Sequence, residues 1–389
     1  MKRMGCAVLV FVLLAAVLPV GAGAVDLDID GKSALLMDVA TGTVLYEKNA
    51  HEPLPPASVT KVMTMLLIME AIDSGKTGWE DMVTASESAA AKGGSQIYLK
   101  VGETMSVSDM VKSIAVSSAN DCACAMAEHL AGSESAFVDR MNARAKELGM
   151  NDTHFVNCTG LDDGADAAEH KTSAYDIALM SRELLGSHPD IKKYTTIWMD
   201  TVRSGQFGLS NTNKLIRFYS GATGLKTGFT SGAGYCLSAT AQREGMELIA
   251  VVMGCETSQK RTAACKAMLD YGFANFAVIS PALEEKAEVP VVLGKADGVA
   301  LKPSGAGALL IDKAQKSSVT IRTVREENVE APVSLGQRLG TMTVLAGEQV
   351  LAEIPLVAAE AVERLTFRDL FVQVLRMAAM AKENSESTN

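Results

Sequence analysis

The sequence is poor in the residue patterns that build metal centres and nucleic-acid surfaces. Its five histidines are scattered, and it contains neither Cys-x-x-Cys nor His-Glu-x-x-His. We therefore expect no metal site and no other cofactor. The formal net charge of −10 argues against a nucleic-acid partner, because phosphate binding needs a basic patch that this balance does not supply.

Apolar runs long enough to span a membrane are missing beyond the first residues of the chain. Residues 1–24 place Lys2 and Arg3 before the apolar run CAVLVFVLLAAVLPV and end in small residues. This is the order of a secretory signal peptide. We expect cleavage after Ala24 and export of the mature protein.

Seven cysteines occur, and one of them lies in this leader. The other six are Cys122, Cys124, Cys158, Cys236, Cys255 and Cys265. An even number permits disulfides in an exported protein. However, Cys122 and Cys124 fall in an apparent helix, where side chains at i and i+2 point apart. We favour buried free thiols, with disulfides as the alternative.

Residues 25–278 have the pattern of one α+β domain. Hairpins are predicted at 33–49 and at 234–256, from paired apolar runs around Gly-containing turns. Apolar periodicity predicts helices between and after them, at 55–72, 107–131, 135–150, 172–185 and 262–276. Because strands lie towards both ends of this segment, we expect antiparallel strands from the two ends to meet in one sheet flanked by helices.

The pattern changes near Ile279-Ser280-Pro281. Residues 279–355 contain short apolar runs separated by Gly, Pro and charged residues, which predicts a small all-β domain. Residues 356–389 become helical again, with Phe367, Leu370 and Phe371 on one face and basic residues nearby. Such a helix can lie in a membrane interface. We expect a membrane-associating tail, and packing on a protein surface is the alternative.

One Ser-x-x-Lys, from Ser58 to Lys61, stands where an apolar helix is predicted to begin. A serine hydroxyl is a poor nucleophile until a base takes its proton, and residues at i and i+3 share a helix face. Burial and the helix dipole would both favour a neutral Lys61. A serine that follows prolines is also an ordinary helix N-cap. This tetrapeptide alone leaves nucleophile and cap open.

Two further short motifs follow in the chain. One is Ser118-Ala119-Asn120, and the other is Lys226-Thr227-Gly228, directly before a predicted strand. Second copies occur at residues 76–78 and 387–389. The Lys-Thr-Gly copy at 76–78 lies at a predicted helix end and precedes the Ser-x-Asn motif. The Ser-x-Asn copy at 387–389 lies in a polar terminus. Motif order and surrounding sequence therefore reject both copies.

With these three motifs in this order, the chain resembles the penicillin-binding proteins and serine β-lactamases. The stretches 33–64, 93–103, 141–162 and 224–241 are similar to the low-molecular-mass penicillin-binding proteins that are serine-type D-alanyl-D-alanine carboxypeptidases of peptidase family S11. The likeness continues through the β domain and the tail. It implies a penicillin-binding-protein/β-lactamase-like transpeptidase fold, followed by the small β domain and the amphipathic helix.

The resemblance also implies roles for the motif residues. Ser58 would attack the carbonyl of the penultimate D-alanine while Lys61 accepts its proton. Ser118 would relay a proton to the leaving D-alanine amine, and Asn120 would hold Lys61 and the substrate amide. The oxyanion hole would be the backbone amides of Ser58 and Phe229.

The same resemblance implies a binding site for the terminal carboxylate. Lys226 and Thr227 would bind this group, and Gly228 would let the substrate backbone approach the strand. Arg261 matches a family arginine that helps to hold the carboxylate, although a solvated surface arginine is the alternative. Asp162 matches a position that borders the site. Some relatives have histidine where this chain has Phe229, which leaves a side-chain role there in doubt.

The expected function is therefore trimming of D-alanine from peptidoglycan stem peptides at the outer face of a bacterial cytoplasmic membrane, with peripheral attachment and β-lactams as covalent inhibitors. A β-lactamase is one alternative. Its class A form needs a Glu-x-x-Leu-Asn carboxylate, and the nearest string, 147–151, has the pattern of a helix end capped by Gly149. A penicillin-acylated sensor without turnover is the other.

Overall fold

The structure, a computed structural model, describes residues 27–283, 287–305 and 307–372. They divide into two compact units. The larger unit contains residues 27–282 and 307–317, and the smaller one contains the described parts of 283–305 and 318–372.

The strands and helices are numbered in chain order. The strands are β1 Ser33–Asp38, β2 Val44–Lys48, β3 Met82–Thr84, β4 Thr104–Ser106, β5 Met199–Val202, β6 Phe207–Ser210, β7 Ala222–Thr230, β8 Gly234–Arg243, β9 Met246–Cys255, β10 Phe276–Ile279, β11 Glu288–Val292, β12 Gly298–Pro303, β13 Leu309–Asp312, β14 Val319–Arg325, β15 Val329–Glu330, β16 Arg338–Ala346 and β17 Gln349–Ala358. The α-helices are α1 Lys61–Asp73, α2 Glu87–Ala90, α3 Val107–Ser117, α4 Asn120–Ala131, α5 Glu134–Glu147, α6 Ala174–Ser187, α7 Lys192–Thr195, α8 Leu215–Phe218 and α9 Ser258–Asn275.

The larger unit is built on a five-stranded sheet in the order β2-β1-β9-β8-β7. Every neighbouring pair is antiparallel. Strand β1 pairs with β9, with Leu35 opposite Val251, so strands from the two ends of the domain meet as predicted. Strand β7 forms one edge of this sheet, which leaves one side of its backbone unpaired within the sheet.

Helices cover both faces of the sheet, and all six residues of β1 are buried as a result. Leu35 joins the apolar cluster that contains α1 and α6, whereas Leu36 joins the cluster that contains α9. A strand covered on both sides carries a continuous apolar run instead of an alternating pattern, as residues 34–37 do here.

Helix α1 is the predicted buried helix, but it begins later than the sequence suggests. Residues 57–60 form a separate 3-10 turn, and the α-helix begins at Lys61. Ala57 enters the turn at φ +48°, and the N–H of Val59 donates to Pro56 O at 3.2 Å. Ser58 therefore lies in a tight turn before the helix and not in its first turn.

The helix predicted at 107–131 is two helices. Ser118 takes the left-handed conformation, with φ +63°, and this ends α3. The N–H of Asn120 donates to Ser95 O at 2.7 Å, across the chain instead of along a helix. The break separates α3 from α4 at the Ser-x-Asn motif, and this tertiary contact lies outside the reach of a local sequence pattern.

All six cysteines in the described residues are buried free thiols. Cys122 and Cys124 lie on α4, as the sequence indicates. Burial raises the pKa of Cys236 to about 11, which keeps this thiol protonated at neutral pH.

The smaller unit contains a six-stranded sheet in the order β14-β16-β17-β12-β11-β15, in keeping with the predicted all-β domain. The apolar run that forms β13 does not belong to this six-stranded sheet. Strand β13 pairs antiparallel with β10, and Lys313 Nζ donates to Phe273 O at 2.8 Å. The chain therefore returns to the larger unit at residues 307–317, which a boundary near residue 279 does not anticipate.

The predicted leader 1–24 lies outside the described residues, as do residues 373–389 of the predicted tail. Strand β17 continues to Ala358, and Val362 still forms a β-bridge with Val333. Helical backbone is described only from Phe367 to Val372, so the expectation of helix from residue 356 is wrong. In the described ranges, no helix combines the length and apolarity that a membrane span requires.

Candidate active site

Ser58 and Lys61 are in direct contact. Lys61 Nζ donates to Ser58 Oγ at 2.9 Å. Within the described structure, the 3-10 turn and α1 both lack a side-chain cap, and their N-cap residues are Pro56 and Thr60. Helix capping therefore does not explain Ser58. This serine is partly exposed, so its hydroxyl is open to a substrate.

Lys61 is fully buried, and a second hydrogen bond fixes its amine. Its Nζ donates to the carbonyl of Thr159 at 2.7 Å. Burial lowers the pKa of Lys61 to about 7, against smaller opposing effects of Cys158 and Asp121. A lysine with this pKa is substantially neutral near pH 7 and can accept a proton.

The loop that carries Thr159 is pressed against the turn that carries Ser58. Gly160 has φ +80°, and a Cβ at this position would lie 1.8 Å from Ala57 O. Asn157 Oδ1 accepts from the N–H of Gly160 at 2.6 Å. Residue 160 must therefore be glycine. Thr159 carries no sequence signal, because its functional atom is a backbone carbonyl whose partner, Lys61, lies 98 residues away in the chain.

His170 supports the same turn from behind. Its Nε2 lies 2.7 Å from Thr60 Oγ1, and its Nδ1 accepts from the N–H of Val156 at 3.0 Å. Burial lowers the pKa of His170 to about 4, with further lowering by His154 and Lys61. The ring is thus neutral at neutral pH, with Nε2 carrying the proton.

Ser118 and Asn120 lie at the break between α3 and α4. Both are buried, and Ser118 is 3% exposed. Asn120 Nδ2 donates to Gly93 O at 2.7 Å, while its Oδ1 is buried and has no partner among the described residues. The expectation that Asn120 holds Lys61 is not met here, since Ser58 and Thr159 accept from that amine. The free Oδ1 can accept from an incoming donor.

Lys226 and Thr227 lie on the edge strand β7. Lys226 is 1% exposed, and its Nζ donates to Thr227 O at 2.8 Å. Burial, followed by the positive charges of Lys61 and Arg261, holds the pKa of Lys226 well below its usual range. The other Lys-Thr-Gly copy lies in the loop after α1, where Thr77 Oγ1 donates to Asp81 at 3.0 Å.

Gly228 joins β7 to the turn at Ser58. A Cβ on this residue would lie 2.6 Å from Pro56 O and 3.1 Å from the backbone nitrogen of Ser58. The structural demand for glycine therefore comes from this packing, and not only from an approaching substrate as expected. The Ser58 amide lies at this junction, and Phe229 is the next residue of β7; the resemblance places an oxyanion hole here. Phe229 is 53% exposed, and its ring lies at a tilt against that of Tyr235, with 4.3 Å between the ring centres.

Arg261 is buried on α9, so the surface-arginine interpretation is wrong. Its Nη1 donates to Gly228 O at 3.3 Å, and its guanidinium lies 5.5 Å from the centre of the Tyr235 ring. Its Nε is buried and unpaired among the described residues. Asp162 is exposed. It lies beside the turn between β7 and β8, with its Oδ2 3.4 Å from the position that a Cβ on Gly232 would take.

The structure thus places Lys61 and the β7 strand of the Lys-Thr-Gly motif against the turn that carries Ser58, and comparison with known proteins decides the family. The family model described as D-alanyl-D-alanine carboxypeptidase, peptidase S11, matches residues 20–257. The chain belongs to the D-alanyl-D-alanine carboxypeptidase family. A second model, described as the C-terminal domain of penicillin-binding protein 5, matches residues 281–364 of this family member.

Curated relatives and solved structures agree with this assignment. The D-alanyl-D-alanine carboxypeptidase DacF of Bacillus subtilis (strain 168) is 43% identical over 344 residues, which cover 87% of each chain. DacA of Escherichia coli (strain K12) is 33% identical, over 90% of this chain and 88% of its own. Penicillin-binding protein 5 of Haemophilus influenzae superposes with a TM-score of 0.74 at 31% identity, covering 88% of this chain and all of its own.

A further solved structure is bound to an antibiotic. It is penicillin-binding protein D2 of Listeria monocytogenes in its ampicillin-bound form, with a TM-score of 0.56 at 32% identity. The match covers 64% of this chain and all of the Listeria chain.

Gly228→Ala tests the junction between β7 and the serine turn. The added methyl group meets backbone at 2.6 Å, so β7 must move away from Ser58. We expect the protein to stay folded and D-alanine release to fall at least about tenfold in kcat/KM, because preorganised amide donors are displaced. Gly208→Ala on β6, where a Cβ meets nothing within 4 Å, should remain near the wild-type rate. Wild-type kinetics in Gly228→Ala would contradict this reading of the junction.

Proposed function

We propose that this protein is a serine-type carboxypeptidase that removes the terminal D-alanine from peptidoglycan stem peptides through an acyl-enzyme on Ser58, without a cofactor. The observation that carries the proposal is the contact of Ser58 Oγ with a fully buried lysine amine at 2.9 Å. The pKa of about 7 for Lys61 provides a base at the pH where cells grow.

Acylation begins when Lys61 takes the hydroxyl proton of Ser58. The Oγ then attacks the carbonyl carbon of the penultimate D-alanine, and negative charge develops on the carbonyl oxygen. The backbone N–H groups of Ser58 and Phe229 would stabilise that charge. Because Gly228 packs directly on the serine turn, these donors are held before the substrate arrives.

The C–N bond of the terminal amide then breaks, and the leaving amine needs a proton. Lys61 holds the proton taken from Ser58, and Ser118 would relay it to the amine of D-alanine. The unpaired Oδ1 of Asn120 would accept from the substrate amide. In the second half-reaction a water molecule attacks the ester while its proton passes to Lys61, and the shortened peptide leaves as Ser58 regains its proton.

The terminal carboxylate would be bound beside β7. Lys226 and Arg261 are both buried, and neither forms an ion pair with an acidic side chain in the described parts of the chain. Buried cations without a counter-ion are costly, and an incoming carboxylate would stabilise their charged forms. Thr227 adds a hydroxyl to this group of donors.

The β-lactamase alternative lacks its carboxylate base in the described site. Glu147 ends α5, pairs with Arg144 at 3.2 Å and has a side chain that is 66% exposed. Gly149 follows with φ +74°, so this string is a helix end. By analogy with the ampicillin-bound Listeria relative, we propose that β-lactams acylate Ser58. Repeated release of D-alanine from the peptide would distinguish an enzyme from a sensor that is acylated without turnover.

Replacing Ser58 tests the reaction class and the nucleophile together. The purified mature protein should release D-alanine from a diacetylated Lys-D-Ala-D-Ala peptide, and Ser58→Ala should lose at least about 1,000-fold in rate. Ser74→Ala, at the opposite end of α1, should retain full activity. Intact-mass measurement should show a penicillin adduct on the wild type and none on Ser58→Ala. Release that persists in Ser58→Ala would contradict the mechanism.

We further propose export and peripheral attachment to the outer face of the bacterial cytoplasmic membrane. The proposed parts are a leader at residues 1–24 and a membrane-associating tail that begins at Phe367, after the β-bridge of Arg364 with Gly294. Support comes from the residue order of the leader and from apolar side chains at the start of the last described helix. Phe367 is 86% exposed and Phe371 is 56% exposed.

Vesicle binding tests the attachment. Mature protein should co-sediment with vesicles that contain anionic lipid, and Phe367→Ser/Phe371→Ser should partition at least about tenfold more weakly, because two large apolar side chains no longer enter the interface. Val101→Ser removes a comparably exposed apolar residue, 66% exposed, from the larger unit and should bind as the wild type does. Equal binding by all three proteins would contradict the proposal.

A further inference from the structure

A short segment that none of the three motifs includes lies between them in the structure. Asn211 and Asn213 are buried on either side of the exposed Thr212. Asn211 Nδ2 donates to Ile197 O at 2.7 Å, and Asn213 Nδ2 donates to Gly224 O at 2.7 Å. Asn211 Oδ1 also accepts from the N–H of Asn213 at 2.8 Å. The two side chains thus fix the backbone at residues 211–213.

Thr212 contacts two elements of the site, α3, which leads into the Ser-x-Asn motif, and β7, which carries the Lys-Thr-Gly motif. Its backbone N–H donates to Val116 O at 3.2 Å, two residues before Ser118 on α3. Its Oγ1 lies 2.6 Å from Oγ1 of Thr227 on β7. The backbone of Thr212 is therefore anchored to α3, and its side chain contacts the strand of the Lys-Thr-Gly motif.

We propose that Thr212 is a positioning residue for the terminal carboxylate of the substrate, which orients the Thr227 hydroxyl as a donor. This inference rests on the proposed carboxypeptidase function. Two hydroxyls in contact share one hydrogen bond, and either oxygen can accept it. When Thr212 donates to Thr227 Oγ1, the proton of Thr227 is left to point at an anion.

The anion itself selects this arrangement. A carboxylate only accepts hydrogen bonds, so Thr227 must donate to it. A hydroxyl that accepts one hydrogen bond becomes a stronger donor in the next, and donation to a charged acceptor is the stronger kind of bond. Lys226 Nζ donates to the backbone carbonyl of Thr227 and so holds the backbone of the same residue in place. Thr212 therefore contributes to recognition of charge and not to bond breaking.

The discriminating readout is selectivity for a free terminal carboxylate. D-Alanine release from a peptide ending in D-Ala-D-Ala is compared with D-alaninamide release from the same peptide with an amidated terminus. Thr212→Val keeps the branched shape and removes the hydroxyl, and we expect the acid-to-amide ratio of kcat/KM to fall about tenfold, mainly through KM for the acid. Thr212→Ser keeps the hydroxyl and should stay within about twofold of the wild-type ratio.

Thr201→Val on the exposed side of β5 serves as a matched control and should leave the ratio unchanged. A merely structural role of Thr212 would slow both substrates together. An unchanged ratio in Thr212→Val, or an equal loss in Thr212→Ser, would therefore overturn the inference. Melting temperatures are measured for all variants, and Thr212→Ala, which also lacks the hydroxyl, takes the place of Thr212→Val if that variant does not fold.

A second measurement separates this inference from the proposed function. Acylation of Ser58 by a penicillin is followed by intact mass and compared with acylation by the methyl ester of the same penicillin. The acid-to-ester ratio should fall about tenfold in Thr212→Val and persist in Thr212→Ser. A wild type that releases no D-alanine would contradict the proposed function, whereas the acid-to-ester ratio would still decide the role of Thr212.

Discussion

The burial of one lysine amine is the constraint on which the site depends. Lys61 is 0% exposed, and its amine is shared between Ser58 Oγ and Thr159 O. In water this amine would be charged and useless as a base at neutral pH. Enclosure by α1 and its neighbours makes the neutral form accessible, and the hydrogen bond to Thr159 aims it at the serine.

Close backbone approaches make that enclosure possible. Gly160 brings the Thr159 loop against Ala57 O, and Gly228 brings β7 against Pro56 O and the Ser58 amide. Both contacts press on the same short 3-10 turn from different parts of the chain. The turn is thus clamped between a loop and an edge strand, and its partly exposed serine faces the space that a substrate would occupy. Function here follows from backbone packing as much as from side-chain identity.

Local patterns in the sequence were enough for the main architecture. The apolar run of α1, the hairpin of β1 and β2, and the joining of β1 to β9 follow from periodicity and turn residues. The spacing of Ser58 and Lys61 likewise identified a pair that the structure places in contact. Motif order and the strand that follows Lys226 distinguish it from Lys76 without the resemblance.

Other features depend on contacts between distant residues, which local patterns do not contain. The break at Ser118 coincides with tertiary bonds from Asn120 to Ser95 O and from Thr212 to Val116 O, and Thr159 acts through a carbonyl 98 residues from Lys61. Strand β13 pairs with β10 although the residues between them belong to the smaller unit. Thr212 belongs to none of the three motifs, and its contact with Thr227 exists only in the folded chain.

Direct titration of Lys61 tests the central claim. The mature enzyme is labelled with ¹³C-lysine, and the Lys61 signal is assigned by its absence from Lys61→Met. Burial predicts a midpoint near pH 7, with the neutral base gained as the pH rises through that value and lost below it. A midpoint close to the ordinary value of 10.5 would mean that Lys61 stays protonated at neutral pH, and the proposed base for Ser58 would have to be abandoned.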